Sequence, residues 1–262
     1  MSTSLRPAGT SDYPHFERWF PMLGSGDRVP SEAHWQERIM PQTILAARDG
    51  EPVGYCYAEA FAEDGYIRHL VVDPAARGGG VGRALIEAMQ QSMREAGCRR
   101  WRLNVKPDNV PAVSLYRAMG MAIQHECASM RFRWSLLDRF PSPSGTLAVV
   151  EPDAELLATL EGRFDLPRGQ LVAAAAQPTT HLRAVVADRP VGMAAFDVSF
   201  PGAFPFHAES IDVAATLLHG LRPLAREPHM GVVVEGFEAL EVALRDAGAR
   251  VAFRFAHMRG PL

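Results

Sequence analysis

The residues most suggestive of chemistry form one run, Arg77-Gly78-Gly79-Gly80-Val81-Gly82-Arg83, between a strand-like stretch at 66–72 and a helical pattern that begins at Val81. A strand feeding a glycine-rich turn and then a helix presents several unpaired backbone N–H groups at a helix N-terminus, where the macrodipole also favours negative charge. The run therefore reads as a phosphate loop. It does not follow the GxGxxG of dinucleotide-binding folds, and it lacks the Lys-Ser/Thr that ends a nucleoside-triphosphate P-loop. Other chemistries find no support. The histidines contain no HExxH and no Cys/His cluster at metal-ligand spacing, so no metal site is expected, and the serines offer no GxSxG elbow. Cys56, Cys98 and Cys127 are an odd number without a CxxC, which reads as reduced thiols rather than a disulfide framework.

The elements that must position this loop follow from periodicity. Residues 4–6 are extended, and Ser11-Asp12 is a capping signal for a helix that carries Phe16, Trp19 and Phe20 on one side; Ser31 starts a second helical stretch. Strands are predicted at 43–48 and 53–61, joined by the turn Asp49-Gly50-Glu51-Pro52, and at 66–72 after Glu63-Asp64-Gly65. Behind the loop, Val81, Ala84, Leu85, Ala88, Met89 and Met93 recur at the spacing of one buried helical face, with Gly97 as a left-handed cap. A strand at 100–105, a helix capped by Asp108-Asn109 and closed by Gly120, and a strand at 122–132 complete the order β-α-α-β-β-β-α-β-α-β.

The chain is long enough, at 262 residues and 47% hydrophobic, for two cores. Pro141-Ser142-Pro143-Ser144-Gly145 stops both helix and ladder, so 135–145 is expected to be a linker between a domain at 1–134 and another at 146–262. The second half repeats the first in part. Pro52-Val53-Gly54 is answered by Pro190-Val191-Gly192, and Arg117-Ala118-Met119-Gly120 by Arg245-Asp246-Ala247-Gly248. Between these landmarks the second copy is shorter, where the first keeps its glycine loop; Ala208-Glu209-Ser210-Ile211-Asp212 stands there instead. Phe200, Phe204 and Phe206 read either as a pocket wall or as the core of a short strand. A net charge of -3 excludes a strongly basic nucleic-acid surface, and no apolar leader or span is apparent, so a cytoplasmic protein without nucleic-acid or membrane partners is expected. A homodimer is compatible with this composition.

The loop resembles the Q/R-x-x-G-x-G/A motif of the GNAT superfamily of N-acetyltransferases, here Arg77-x-x-Gly80-x-Gly82 preceded by Val-Asp-Pro. A second block, Asn109-x-x-Ala112-x-x-x-Tyr116-x-x-x-Gly120-Met121, is similar to that family's N-x-x-A-x-x-L/F-Y-x-x-x-G-F, with methionine for the usual phenylalanine. The resemblance covers about 4–132. It implies an α/β (α+β) fold of two tandem GNAT-like domains, the second degenerate. Each would be a mixed, mostly antiparallel sheet with flanking helices and a splayed parallel strand pair.

It further implies acetyl-CoA as acyl donor, no metal, and an amine acceptor, the activity being N-acetyl transfer by direct attack. Leu70, Val71 and Val72 match the strand that pairs with pantetheine. Arg77, Gly78, Gly79, Gly80, Val81, Gly82 and Arg83 match the pyrophosphate loop, and Asn109 and Tyr116 the contacts near the thioester. Tyr116 matches the family's acid, whereas the aligned residue of the second copy, Leu244, cannot donate a proton. The glutamate that many members carry before the loop is absent from Tyr66-Ile67-Arg68-His69; His69, Glu59 and Glu63 remain open as the base. A CoA-sensing or protein-binding module without turnover is the alternative function.

Overall fold

A computed structural model describes residues 3–143 and 145–262. The chain divides into two compact units: residues 3–105, 109–122 and 258–262 form the first, and 106–108 with 123–257 the second.

The first unit holds β1 (Thr3–Pro7), α1 (Tyr13–Trp19), α2 (Glu32–His34), β2 (Thr43–Arg48), β3 (Glu51–Phe61), β4 (Asp64–Val72), α3 (Val81–Glu95), β5 (Arg100–Val105) and α4 (Val110–Ala118). Its sheet runs β1-β2-β3-β4-β5, antiparallel except for the parallel pair β4/β5. One face is covered by Phe16, Trp19, Phe20 and Trp35, which pack with Tyr55, Tyr57 and Val71. α3 buries Val81, Leu85, Ile86, Met89 and Met93, and each such aliphatic side chain contributes about 1.5–3 kcal/mol by leaving water. Asp12 does not cap α1 with its side chain. Its carboxylate accepts from both terminal nitrogens of Arg6 at 2.7 Å and from the Gly9 amide at 2.7 Å, tying β1 to the start of the helix.

The second unit comprises β6 (Ala122–Arg133), whose first residue is counted with the first unit, then β7 (Ala148–Val150), α5 (Ala154–Arg163), α6 (Gln170–Ala175), β8 (Thr180–Val186) and β9 (Pro190–Asp197). It continues through β10 (Gly202–Ala208), α7 (Ile211–Leu221), β11 (His229–Glu235), α8 (Glu238–Asp246) and β12 (Arg250–Pro261), of which 258–261 are counted with the first unit. Its strands lie in the order β12-β6-β11-β10-β9-β8-β7, with β10/β11 parallel. β6 pairs with β11 over its second half, from Cys127↔Glu235 to Arg133↔His229.

The segment read as a linker is packed over its first part: Trp134–Asp138 is a 3-10 turn, and Trp134, Leu136, Leu137 and Phe140 belong to the core of the second unit. Its apolar residues, spaced to turn inward, outweigh the prolines that follow. Position 144 lies outside the described residues.

The repeat is structural. Gly54 faces Val72 across β3/β4, and Gly192 faces Ala208 across β9/β10. A Cβ on Gly54 would meet the Val71 carbonyl oxygen at 2.6 Å, and one on Gly192 would meet the His207 carbonyl oxygen at 3.0 Å, so both sheets need the missing side chain. Both units also shift register on the strand that enters the parallel pair, between Tyr57 and Ala58 opposite β4 and between Ala203 and Phe206 in β10. Among the described residues, no helix is long and apolar enough to cross a membrane.

Candidate functional site

β4 and β5 pair only over Asp64↔Arg100 to Ile67↔Leu103. β4 continues to Val72 against β3, with Leu70↔Cys56, Val71↔Tyr55 and Val72↔Gly54, while its other edge has left β5. The divergence coincides with the register shift that leaves Arg68 opposite no residue of β3. A bulge bends and twists its strand, which gives the local reason for the opening. At the closed end, away from the opening, buried Asp64 accepts from Arg100 and Arg102 at 2.7 Å each, so an ion-paired cluster joins the strands there.

The loop follows directly. Asp73 closes the turn after β4, accepting from Ala75 N at 3.0 Å and from Trp19 Nε1 at 3.3 Å. Arg77, Gly78, Gly79 and Gly80 are exposed. Gly78 and Gly80 have φ of +74° and +80°, and Gly80 is the N-cap of α3. These left-handed residues turn the chain so that the first amides of a 15-residue helix face outward beside the open edge of β4. A Cβ on Gly82 would lie 3.7 Å from both Leu115 Cδ2 and Val72 Cγ2. The helix N-terminus, the end of β4 and α4 therefore converge there.

Arg48, which the sequence reading passed over, braces this loop: its Nη2 donates to the Gly79 carbonyl at 2.9 Å. It comes from the end of β2, and its sequence distance from the loop hid it. Arg77 Nε donates to the Val72 carbonyl at 3.1 Å, and Arg83 lies 3.7 Å from Glu87 on the next helical turn. Val81 is buried and packs α3 down.

Asn109 is the N-cap of α4, its Oδ1 accepting from the Ala112 amide at 3.3 Å. Tyr116, on the same helix, is 6% exposed and meets Trp101 edge-on at 6.4 Å. Burial, with a smaller contribution from the neighbouring Cys56, pushes its phenol well above the ordinary 10, so it is a proton donor throughout the neutral range. Cys56 faces Leu70 across β3/β4, which brings Tyr116 to the diverging part of the sheet.

The three candidate bases have different surroundings. His69 lies among the rings of Phe16, Phe20, Tyr55 and Tyr57 at 5.2–6.3 Å, with Nδ1 3.4 Å from the Tyr55 hydroxyl. Burial, reinforced by Arg68, lowers its pKa to about 3, which makes it a neutral and weak proton acceptor. Glu59 is ion-paired to Arg68 at 2.5 Å and hydrogen-bonded to the Tyr57 side chain, and the Arg68 guanidinium lies 3.8 Å over the Tyr66 ring. Glu63 is exposed, 3.7 Å from Arg99.

In the second unit β10/β11 pair only at Gly202↔Gly231 and Ala203↔Val232. α7 there is capped by a side chain, Ser210 Oγ accepting from the Val213 amide at 3.2 Å. Glu209, bonded to Arg163 and Arg189, adds a carboxylate that an incoming phosphate would meet.

The first unit thus holds a mixed sheet opened at its parallel pair, beside a glycine-capped helix and a buried phenol. Residues 12–121 match the model of the acetyltransferase (GNAT) family. Over 106 residues the chain is 37% identical to the IAA acetyltransferase of Azospirillum brasilense, covering 37% of this chain and 69% of that protein. It is 38% identical over 81 residues to the mycothiol acetyltransferase of Streptomyces avermitilis, covering 30% of this chain and 26% of that protein; the chain thus matches about a quarter of that relative's length. A GCN5-related N-acetyltransferase from Sphaerobacter thermophilus superposes with a TM-score of 0.66 at 16% identity, covering 99% of this chain and 95% of that one. A tandem GNAT protein from the clavulanic acid biosynthesis pathway gives 0.57 at 16% identity, covering 99% and 98%. The chain belongs to the GNAT acetyltransferase family, and its fold is the tandem form.

Proposed function

We propose that the first unit transfers an acetyl group from acetyl-CoA to a primary amine of a small molecule or peptide. The observation that carries this reading is the departure of β4 from β5 at Arg68, next to the outward-facing amides of α3. Pantetheine would add to the free edge of β4 along Leu70, Val71 and Val72, as an extended segment adds to a sheet edge. The pyrophosphate would rest on the amides of Gly78 to Arg83, with Arg77, Arg83 and Arg48 supplying positive charge. Asn109 shapes the start of α4 near the acyl end.

The amine nitrogen attacks the thioester carbonyl as a free base, forming the C–N bond. A backbone amide near the β4 bulge stabilises the oxyanion. Tyr116 donates its phenolic proton to sulfur as the C–S bond breaks, and the amine proton leaves through water to Glu59. His69, held neutral among aromatic rings, orients β4 and the Tyr55 hydroxyl instead of accepting the proton.

Isothermal titration with acetyl-CoA, alongside thiol release across a panel of amines, tests the assignment. Binding without thiol release from a broad panel, including peptides with free N-termini, would favour a coenzyme-sensing module. No binding to the folded wild-type chain would overturn the reading altogether.

A further inference from the structure

The second unit gathers side chains that could hold a metal ion. His125 and Cys127 alternate on β6 and so share one face of the strand. Glu235, at the end of β11, is in register with Cys127. One donor atom from each of His125, Cys127 and Glu235 lies within 4.8 Å of the others, and Cys127 Sγ is 3.9 Å from Glu235 Oε1. His207, from β10, brings its Nε2 to 3.4 Å from Glu235 Oε2 across the gap where β10 and β11 have parted. Two of the donors are unsatisfied: Nε2 of His125 and Nε2 of His207 are both shielded from solvent and without a hydrogen bond. Such groups destabilise the fold if nothing binds them.

We propose that His125, Cys127, His207 and Glu235 form a zinc site that bridges the open strand pair of the second unit. Two imidazoles, a thiolate and a carboxylate suit a tetrahedral, borderline-soft ion. In a tetrahedral site with ligands about 2.1 Å from the metal, adjacent donors lie about 3.4 Å apart, and the His207–Glu235 separation matches this. The two anionic ligands neutralise a divalent ion, so the site adds no uncompensated charge to the interior.

The surroundings suit a bound ion. The ring of His257 stacks on His125 at 5.1 Å, Phe164 stacks on His207 at 5.0 Å, and the His257 amide donates to Cys127 sulfur. These contacts fix ring orientation and favour the thiolate. A cavity of ≈ 80 Å³ lined by Phe164, His207, Glu235 and Phe237 adjoins two of the ligands. Forming the sulfur–zinc bond expels the thiol proton, one per ion.

The test uses the full chain, stripped with a chelator and titrated with Co(II) and with Zn(II) in competition with a colorimetric chelator. The proposal expects one equivalent of Co(II) to give a thiolate-to-cobalt charge-transfer band with tetrahedral d–d absorption. Zn(II) should abolish the band and protect Cys127 from alkylation, read by mass spectrometry. Cys127→Ser should remove the band, and His207→Ala or Glu235→Gln should weaken zinc binding more than about 100-fold; Cys98→Ser should change nothing. Absence of the band from the wild-type chain, its loss in Cys98→Ser, or unprotected Cys127 at saturating zinc would each overturn the proposal. The alkylation readout needs no variant, so it decides even if Cys127→Ser does not fold.

Discussion

Asp64 and Arg102 form a buried ion pair at 2.7 Å, placed at the end of β4/β5 where the strands are still joined. Burial opposes ionisation of the carboxyl most strongly, but the bonds from Arg102 and then Arg100 hold its pKa below the ordinary 3.8. A depressed acid contributes stability that is complete above its unfolded pKa and is lost as pH falls through the folded value. Asp64→Ala should cost about 3–5 kcal/mol at pH 7, because it takes the carboxylate away from a buried guanidinium. Urea midpoints of the variant and wild type should draw together as pH falls below the ordinary 3.8. Equal midpoints at pH 7 would show that the pair does not hold this end.

Gly80 and Gly82 should respond differently to substitution. Gly80, at φ +80°, resists any side chain through backbone strain, costing about 1–3 kcal/mol. Gly82 has ordinary contact distances around its missing Cβ. Gly82→Ala should therefore keep acetyl-CoA affinity within a few-fold, whereas Gly82→Trp should fill the space between Val72 and Leu115 and abolish it. Unchanged affinity in a folded Gly82→Trp protein would remove the phosphate loop from the site.

Tyr116→Phe should lower kcat by about 10²–10⁴ while changing acetyl-CoA affinity little, since the hydroxyl acts as the thiolate leaves. Because the phenol pKa is raised, the wild-type rate should show no alkaline fall at pH 10 from its ionisation. Retention of full kcat by the variant would eliminate the acid role.

His69 and Glu59 can be separated by their pH behaviour. A histidine lowered to about 3 binds a proton more readily when unfolded, so its contribution to stability is whole above pH 6.5 and declines at lower pH until about 3. His69→Gln should flatten the loss of stability between pH 6 and 4, by up to about 1.4 kcal/mol per pH unit, and should retain most activity. Glu59→Gln should instead depress kcat/KM. The reverse pattern would make His69 the base.

Phe140→Ala should destabilise the second unit by about 3–5 kcal/mol, because Phe140 is 4% exposed within that core although it precedes Pro141. A loss under 1 kcal/mol by differential scanning calorimetry would show that Phe140 does not anchor this segment to the core.

Local pattern alone was enough to determine much of this protein. The glycine loop before α3, the three-and-four apolar spacing behind it, and the strand-like stretches on either side are properties of neighbouring residues, so they were legible without a fold. The repeated Pro-Val-Gly was equally plain, and its reason, a backbone approach that excludes a side chain, emerged in the paired strands. Only the tertiary structure decided that β6 pairs with β11, that Arg48 braces the loop, that His69 is enclosed by four rings, and that His125, Cys127, His207 and Glu235 meet. Each of these depends on which strands pair and in what register, and pairing is set by burial summed over distant segments, which no single stretch of residues encodes.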